Sequence, residues 1–282
     1  MGKITLHRKD QVQEWRRVPF IEGSYRLDFS FREAFFSIMS WHNETLNIWT
    51  HLIGWALAYW WMVHSLNTWL LEGSGQDKFL FQVIMYASQL QMLCSVSHHW
   101  YGCMQRTIYL LTARLDYSAI AILLPACTSS VIYYILYCHS FPFWTYTILN
   151  ASFGIAVLGL CWWPLFQTPP FQKFRAFMFS SLGLFVAFSW IHGIYLYPEL
   201  LRSCSFFYQV SVGILMGIGV CIYIARFPER SQPGFVLISW IFFGFNCHFF
   251  DRNVGLLPQP FHLAHFRNFG ELGILSYFSR TL

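Results

Sequence analysis

Charged side chains are scarce in this chain, and their scarcity excludes an ordinary soluble domain. Asp, Glu, Lys and Arg make up 11% of the 282 residues, whereas an average soluble domain carries roughly 25%. Hydrophobic residues make up 56% and aromatic residues 21%. A surplus of Phe, Tyr and Trp is typical of membrane proteins, whose aromatic side chains line both interfaces of the bilayer.

Several other features are missing. The first forty residues lack the apolar core of a cleavable signal peptide, so we expect the first membrane span to direct insertion. The eight cysteines show no paired spacing such as CxxC, and we expect most of them to serve in packing. A disulfide between Cys138 and Cys204 stays open as an alternative. The chain also has no internal repeat, which predicts a single polytopic domain.

Long apolar runs dominate the sequence instead. A helix needs about 20 predominantly apolar residues to cross the hydrocarbon core of a bilayer. Six runs reach this length and a seventh is uncharged but short; in order they cover residues 46–71, 79–103, 115–138, 142–163, 174–197, 205–225 and 234–250. We therefore predict an all-α integral membrane protein. Its seven-transmembrane helix bundle covers residues 46–250, between an N-terminal segment at 1–45 and a C-terminal tail at 251–282.

The Lys and Arg residues predict the orientation of this bundle. Seven of them precede the first span, and others lie in the second, fourth and sixth loops. Cytosolic segments carry such an excess, so we expect the N-terminus in the cytosol and the C-terminus outside or in a lumen. This topology is the reverse of a G-protein-coupled receptor. It also accounts for the net charge of +5, so no nucleic-acid partner is predicted.

Asp116 is the most informative polar residue. It stands at the start of more than twenty uncharged residues, where a carboxylate is costly and should face the protein interior with a partner. Upstream, Ser95 and His99 are spaced i,i+4 and share one face of a helix. These three residues predict a buried polar site.

Simpler interpretations of the same residues stay open. Asp116 is also suited to a helix N-cap or to an ion pair with Arg114. The hydroxyl of Ser95 is suited to a bond with a carbonyl one turn earlier. His99 has the alternative of a histidine exposed at a helix end.

The start of the first span carries a second polar group. Glu44, Asn47 and His51 recur at helical intervals, with His42 just ahead of them. Two interpretations stay open: these residues close the cytosolic mouth of the bundle, or they stabilise a helix start at the membrane interface by local hydrogen bonds.

Four motifs resemble those of the progestin and adipoQ receptor family. SFREAFFSIMSWHNETLNIWTHLIG is similar to the family's cytosolic motif, in which an amphipathic helix precedes the first span. MLCSVSHHWYGC is similar to its Ser-xxx-His motif, LDYSAIA to its Asp motif, and PERSQPG to the turn before its last span. The matches occur in order over residues 23–234. The residues of the first two motifs are most similar to those of the Golgi-associated branch of the family, which tethers signalling kinases.

The resemblance implies a seven-helix bundle with a cytosolic N-terminus and a zinc ion near the cytosolic side. It implies that His99 is a zinc ligand, that Asp116 contacts the metal through water, and that Ser95 is a polar residue beside them. A zinc ion with an open position lowers the pKa of bound water to about 7, and a carboxylate can accept its proton. The reaction that the family implies is hydrolysis of a lipid amide of the ceramide type, with Asp116 and Ser95 as catalytic residues.

The sequence departs from the family pattern after Gly234. The family supplies two more zinc ligands there as HxxxH, but the corresponding positions here fall near Phe243 and Cys247. Two interpretations stay open: an incomplete site in an altered last span, or a site rebuilt from other histidines. The candidates for the rebuilt site are His248, His262 and His265.

Two functions follow from this reading. The first is a receptor-like, zinc-dependent lipid amidase that binds a membrane lipid, either a sphingolipid or a steroid-like molecule. The second is a non-catalytic tether in the Golgi or plasma membrane. Its basic and aromatic N-terminal segment would form an amphipathic helix on the anionic cytosolic leaflet and dock a signalling protein.

Overall fold

The computed structural model describes residues 4–68, 70–227 and 229–231. This part of the chain is helical, with one antiparallel bridge between His7 and Tyr25. The α-helices, in chain order, are α1 (Phe31–Ser37), α2 (Thr45–Asn67), α3 (Gly75–Tyr101), α4 (Arg106–Leu136), α5 (Ser140–Trp162), α6 (Gln172–Leu184), α7 (Val186–Leu196) and α8 (Cys204–Ala225).

Serine residues fix the start of three helices. Ser30 and Ser74 each form a capping box with the acidic residue three positions later, Glu33 in α1 and Asp77 in α3. In both, the serine oxygen accepts from a backbone N–H that has no partner within the helix, while the carboxylate accepts from the serine backbone. Ser203 caps α8 in the simpler way, accepting from the N–H of Phe206.

The predicted multi-pass membrane architecture is confirmed in its coarse form. Five helical segments are long and apolar enough to cross a bilayer: Gly75–Tyr101, Arg106–Leu136, Ser140–Trp162, Pro169–Leu196 and Cys204–Ala225. The first predicted span corresponds to α2, which has 23 residues but is not among these five. The predicted span at 234–250 and the tail at 251–282 lie outside the described residues. The orientation of the bundle stays a prediction.

The structure adds detail to two of the predicted spans. Helix α4 begins at Arg106, nine residues before the predicted start of the third span. Arg114 is therefore helical, and its guanidinium lies 5.8 Å from the ring centroid of Trp162. The fifth predicted span consists of α6 and α7, which meet at Phe185.

The cysteines that were considered for a disulfide do not form one. Cys138 and Cys204 are both exposed free thiols.

Helix α4 occupies the centre of the described bundle. It packs against α3, α5, α6 and α7. Pro125 interrupts the hydrogen bonds of α4, because it has no N–H to donate to the preceding turn. Near this point the side chain of Asn150 in α5 donates to the Pro125 carbonyl oxygen at 3.0 Å. Gly154 faces the same proline so closely that an added Cβ would lie 2.7 Å from its Cγ. This close approach fixes α5 against α4.

The N-terminal segment is ordered against the end of α3. Val12, Ile21 and Tyr25 form a small apolar cluster of its own. Arg16, which is buried, donates to the backbone oxygen of Met104 just beyond α3. Helix α1 adds a stack of Phe35 on Trp100 with ring centroids 5.5 Å apart. The segment thus covers the end of α3 that carries the predicted site.

Candidate functional site

The packing of α3 against α4 brings together the three residues that the sequence predicted. Ser95, His99 and Asp116 are buried, with 1%, 7% and 3% of their surface exposed. His99 lies within electrostatic reach of the Asp116 carboxylate, and Ser95 lies beside it. Ser95 and His99 project from the last two turns of α3, while Asp116 lies in the third turn of α4.

The simpler interpretations of these residues do not hold. Asp116 is not an N-cap, because α4 begins ten residues earlier and Gln105 occupies the N-cap position. The guanidinium of Arg114 packs over Trp162 rather than pairing with the Asp116 carboxylate. The Ser95 hydroxyl makes no bond to a carbonyl one turn earlier. His99 is buried rather than exposed at the helix end.

Several buried polar atoms at this site have no hydrogen-bond partner in the described part of the chain. They include Asp116 Oδ1, Ser95 Oγ and His51 Nε2. Leaving such an atom buried without a partner costs about 1–3 kcal/mol, and more for a charged group. Atoms of this kind are suited to bind a ligand, a metal ion or ordered water.

Glu44 is a member of the site that the sequence reading did not assign to it. Its Oε2 lies 2.8 Å from His99 Nδ1 and accepts at 2.7 Å from the side-chain amide of Asn47. Burial alone would raise the pKa of the Glu44 carboxyl, but His99 and Asn47 outweigh burial and hold that pKa at about 2. The recurrence of Glu44, Asn47 and His51 was the available clue, but it could not reveal a partner 55 residues away.

Two further histidines of this region, His51 and His98, have different partners. The ring of His51 in α2 lies 5.7 Å from that of His99, and its Nδ1 lies 2.8 Å from the backbone oxygen of Asn47. His98 instead faces α4, with its Nδ1 3.1 Å from the hydroxyl of Thr112. His51 is therefore the imidazole that adjoins the predicted site from α2.

Arg26 holds the backbone at the site from the N-terminal segment. It is 4% exposed and donates to the backbone oxygens of His99 at 2.7 Å and Trp100 at 3.1 Å, and to the Ser37 hydroxyl at 2.7 Å. Burial lowers the pKa of Arg26. Burial and the nearby Arg26 charge also lower the pKa of His42 to about 3, so His42 is neutral at physiological pH.

The described residues supply part of the zinc site that the resemblance implies. His99 bonds a carboxylate through Nδ1, as metal-binding histidines commonly do, so Nε2 would be the nitrogen that binds a metal ion. Asp116 adds a buried carboxylate oxygen with no hydrogen bond. Among the described residues, no group of three or more His, Cys, Asp and Glu is placed to hold a metal ion. The other candidate ligands, His248, His262 and His265, lie outside the described residues.

An apolar cavity of about 510 Å³ lies between α3, α4, α6, α7 and α8. Ligand pockets typically range from about 300 to 1,000 Å³. The residues that line it are mostly aliphatic and aromatic, and they include Tyr117, which follows Asp116 directly. His99 and Asp116 do not line it, since Asp116 faces α3 and the next helical position turns by about 100°.

One buried cation lines the apolar cavity. Arg175 in α6 is 5% exposed, and its guanidinium lies 5.3 Å from the ring centroid of Tyr117. It also donates to the backbone oxygens of Phe166 and Thr168. The cavity therefore combines apolar walls with one positively charged group beside the α4 turn that carries Asp116.

The sequence is similar to one protein family and to several membrane proteins of plants and animals. A family model described as haemolysin-III related matches residues 39–250. Heptahelical transmembrane protein 1 of Arabidopsis thaliana is 30% identical over 271 residues, covering 93% of this chain and 76% of the relative. The adiponectin receptor protein of Drosophila melanogaster is 30% identical over 208 residues, covering 73% of this chain and 47% of the relative. Progestin and adipoQ receptor-like protein 1 of Caenorhabditis elegans is 31% identical over 211 residues, with coverages of 73% and 48%.

Proposed function

Because the chain belongs to the haemolysin-III-related family, which includes the progestin and adipoQ receptors, we propose that it is a receptor-type membrane protein that binds a lipid and hydrolyses its amide bond at a zinc centre. The observation that carries this proposal is the buried set of Ser95, His99 and Asp116 beside the apolar cavity. Polar and ionisable residues inside a membrane are expensive and usually functional.

The roles of the residues follow from their chemistry. His99 is the described residue that would hold zinc, and Asp116 would contact the metal through water; zinc, when bound, lowers the pKa of such a water molecule to about 7. Asp116 accepts a proton from the attacking water and returns it to the leaving nitrogen. The amide C–N bond breaks, the carbonyl carbon gains the water oxygen, and a fatty acid and an amine are released. Ser95 donates a hydrogen bond to the substrate.

The apolar cavity supports a lipid as the substrate. Its walls suit an acyl chain, and Tyr117 borders both the cavity and Asp116 along α4. The Arg175 guanidinium suits a polar or anionic group at the end of that chain. A ceramide-type lipid amide, one sphingolipid class, combines a long acyl chain with a polar amide end. A steroid-like ligand would use the same apolar walls without offering a bond to hydrolyse.

The first experiment measures zinc per mole of detergent-purified protein and hydrolysis of a labelled ceramide. Wild type is expected to hold about one zinc ion. His99→Ala should lose it, whereas His64→Ala, which removes an exposed histidine of α2, should not. Asp116→Asn should reduce hydrolysis by about 10²-fold or more, the usual contribution of a general base, with membrane insertion intact. Asp10→Asn is the matched control, because Asp10 is an exposed surface residue.

The outcomes separate the parts of this proposal. Full hydrolysis by Asp116→Asn would refute its assignment as the base. Wild-type protein that contains zinc but does not cleave ceramide would refute the substrate class. Wild-type protein without zinc would refute the hydrolytic centre.

A second candidate function is a non-catalytic tether for a cytosolic signalling protein, in the Golgi or plasma membrane. It is favoured by the N-terminal segment, whose exposed aromatic side chains include Phe31 and Trp41. For this function, zinc-free wild type should still recruit its partner to membranes, and replacing both Phe31 and Trp41 by Ser should abolish recruitment. Recruitment that survives this double substitution would contradict the tether.

A further inference from the structure

The pairing of Glu44 with His99 has a role that neither the motifs nor the family resemblance assigned. We propose that Glu44 is a positioning residue: it fixes which nitrogen of the His99 ring carries a proton and so presents the other nitrogen to the site. This inference rests on the proposed function and deepens it, because it adds a residue of the N-terminal segment to the machinery of the membrane site.

The chemistry of the hydrogen bond sets the tautomer. The Oε2 of an ionised carboxylate can only accept, so at 2.8 Å the proton of this bond sits on His99 Nδ1. In the neutral ring, Nε2 then carries the lone pair. A carboxylate on the far nitrogen orients a metal-binding imidazole and raises its basicity, and losing such a partner typically costs 10–100-fold in metal affinity.

Glu44 is also held in place by residues other than His99. Its Oε2 also accepts from Asn47 at 2.7 Å, and its backbone N–H donates to His42 Nδ1 at 3.1 Å. It precedes α2 directly, at the N-cap position. Because contacts with His42 and Asn47 already fix Glu44, its carboxylate can set the orientation of the His99 ring.

Burial separates this pair from an ordinary surface ion pair. The side chains of His99 and Glu44 are 7% and 20% exposed. Exposed pairs contribute little, because water and salt screen them. Here the Arg26 guanidinium also holds the His99 backbone oxygen at 2.7 Å. The imidazole is thus constrained at its ring by Glu44 and at its backbone by the same N-terminal segment.

The test uses full-length protein and compares Glu44→Gln with Glu33→Gln. Glutamine keeps the size of the side chain, but it can offer either an oxygen or an NH₂ group, so it no longer selects one tautomer of His99. Glu33 lies in the same N-terminal segment but is exposed, in the capping box of α1. Zinc affinity is measured by chelator competition, and melting temperature reports on folding.

Glu44→Gln is expected to weaken zinc binding by about 10–100-fold, the range for partners of metal-binding histidines. Glu33→Gln should bind zinc like wild type. A purely structural role would lower the melting temperature of Glu44→Gln without this loss of affinity. If wild type binds zinc and Glu44→Gln binds it equally well, the positioning role is wrong while the proposed function stands.

A second measurement does not depend on zinc. In metal-free protein with ¹⁵N-labelled histidine, at a pH high enough for the His99 ring to be neutral, nitrogen chemical shifts report which ring nitrogen of His99 is protonated, with His99→Ala giving the assignment. Wild type should show His99 protonated at Nδ1, and Glu44→Gln should lose this preference. If wild type binds no zinc, the proposed hydrolytic centre fails, but this result still decides the inference. The same protonation pattern in both proteins would overturn it.

Discussion

The Arg26 guanidinium donates a hydrogen bond to the backbone oxygen of His99 at 2.7 Å, joining residues that lie 73 positions apart in the chain. The last carbonyl groups of a helix have no partner within the helix and carry partial negative charge. Arg26 satisfies two of them at the end of α3, those of His99 and Trp100. The N-terminal segment is therefore a structural part of the site.

Removal of this contact should destabilise the protein. Arg26→Met keeps much of the apolar stem but leaves the His99 and Trp100 carbonyls without a donor, so we expect a loss of about 1–3 kcal/mol, the cost of orphaned buried polar groups. The melting temperature of detergent-purified protein at a fixed scan rate measures this loss. The matched control is Arg32→Met, because Arg32 is exposed. Equal melting temperatures for the two variants would show that Arg26 does not hold the end of α3.

His42 should make stability depend on pH. Its pKa is lowered to about 3 in the folded protein, first by burial and then by the Arg26 charge, from 6.5 in the unfolded chain. The unfolded state therefore binds more protons between these values, and stability should fall as pH drops below about 6.5, by at most about 1.4 kcal/mol per pH unit. His42→Gln should flatten this dependence relative to wild type, whereas His64→Gln should follow wild type. A slope unchanged by His42→Gln would contradict the prediction.

A side chain at Gly154 should destabilise the protein, because α4 and α5 are in close contact there. Because an added Cβ would lie 2.7 Å from Cγ of the rigid Pro125 ring, Gly154→Ala is expected to cost about 1–3 kcal/mol, as overpacking does. Gly159 in the same helix has no such neighbour within 4 Å, so Gly159→Ala should be neutral or slightly stabilising. Melting temperatures of the two variants decide the matter. A stable Gly154→Ala protein would mean that the two helices are not in close contact there.

Filling the apolar cavity should weaken lipid binding. Gly213 lines the cavity and has open space around its Cβ position, so Gly213→Phe should occupy volume that an acyl chain would use. Loss of about two buried methylene groups, at roughly 0.8 kcal/mol each, corresponds to about a tenfold weaker affinity. Binding of a fluorescent fatty acyl probe measures it, with Gly159→Phe as the control outside the cavity. Equal affinity in both variants would exclude the cavity as the acyl site.

The sequence predicted the membrane class, most of the helices and the burial of Ser95, His99 and Asp116. It could do so because these features have local patterns: runs of about 20 apolar residues predict spans, and the i,i+4 spacing of Ser95 and His99 places them on one helix face. It did not predict that α4 begins before the third span, because Arg106 and Arg114 look like a charged loop. In the structure, Arg114 packs on Trp162 from within the helix.

The sequence by itself determined that this chain is a helical membrane protein of a recognisable family, with a Ser, a His and an Asp buried on neighbouring helices. Only the tertiary structure decided what surrounds them. The pairing of His99 with Glu44, the hold of Arg26 on the α3 carbonyls and the apolar cavity beside Tyr117 all depend on how separate helices pack. The physical reason is that periodicity records which face of a helix is buried, whereas the partner across the interface is fixed by packing between distant segments.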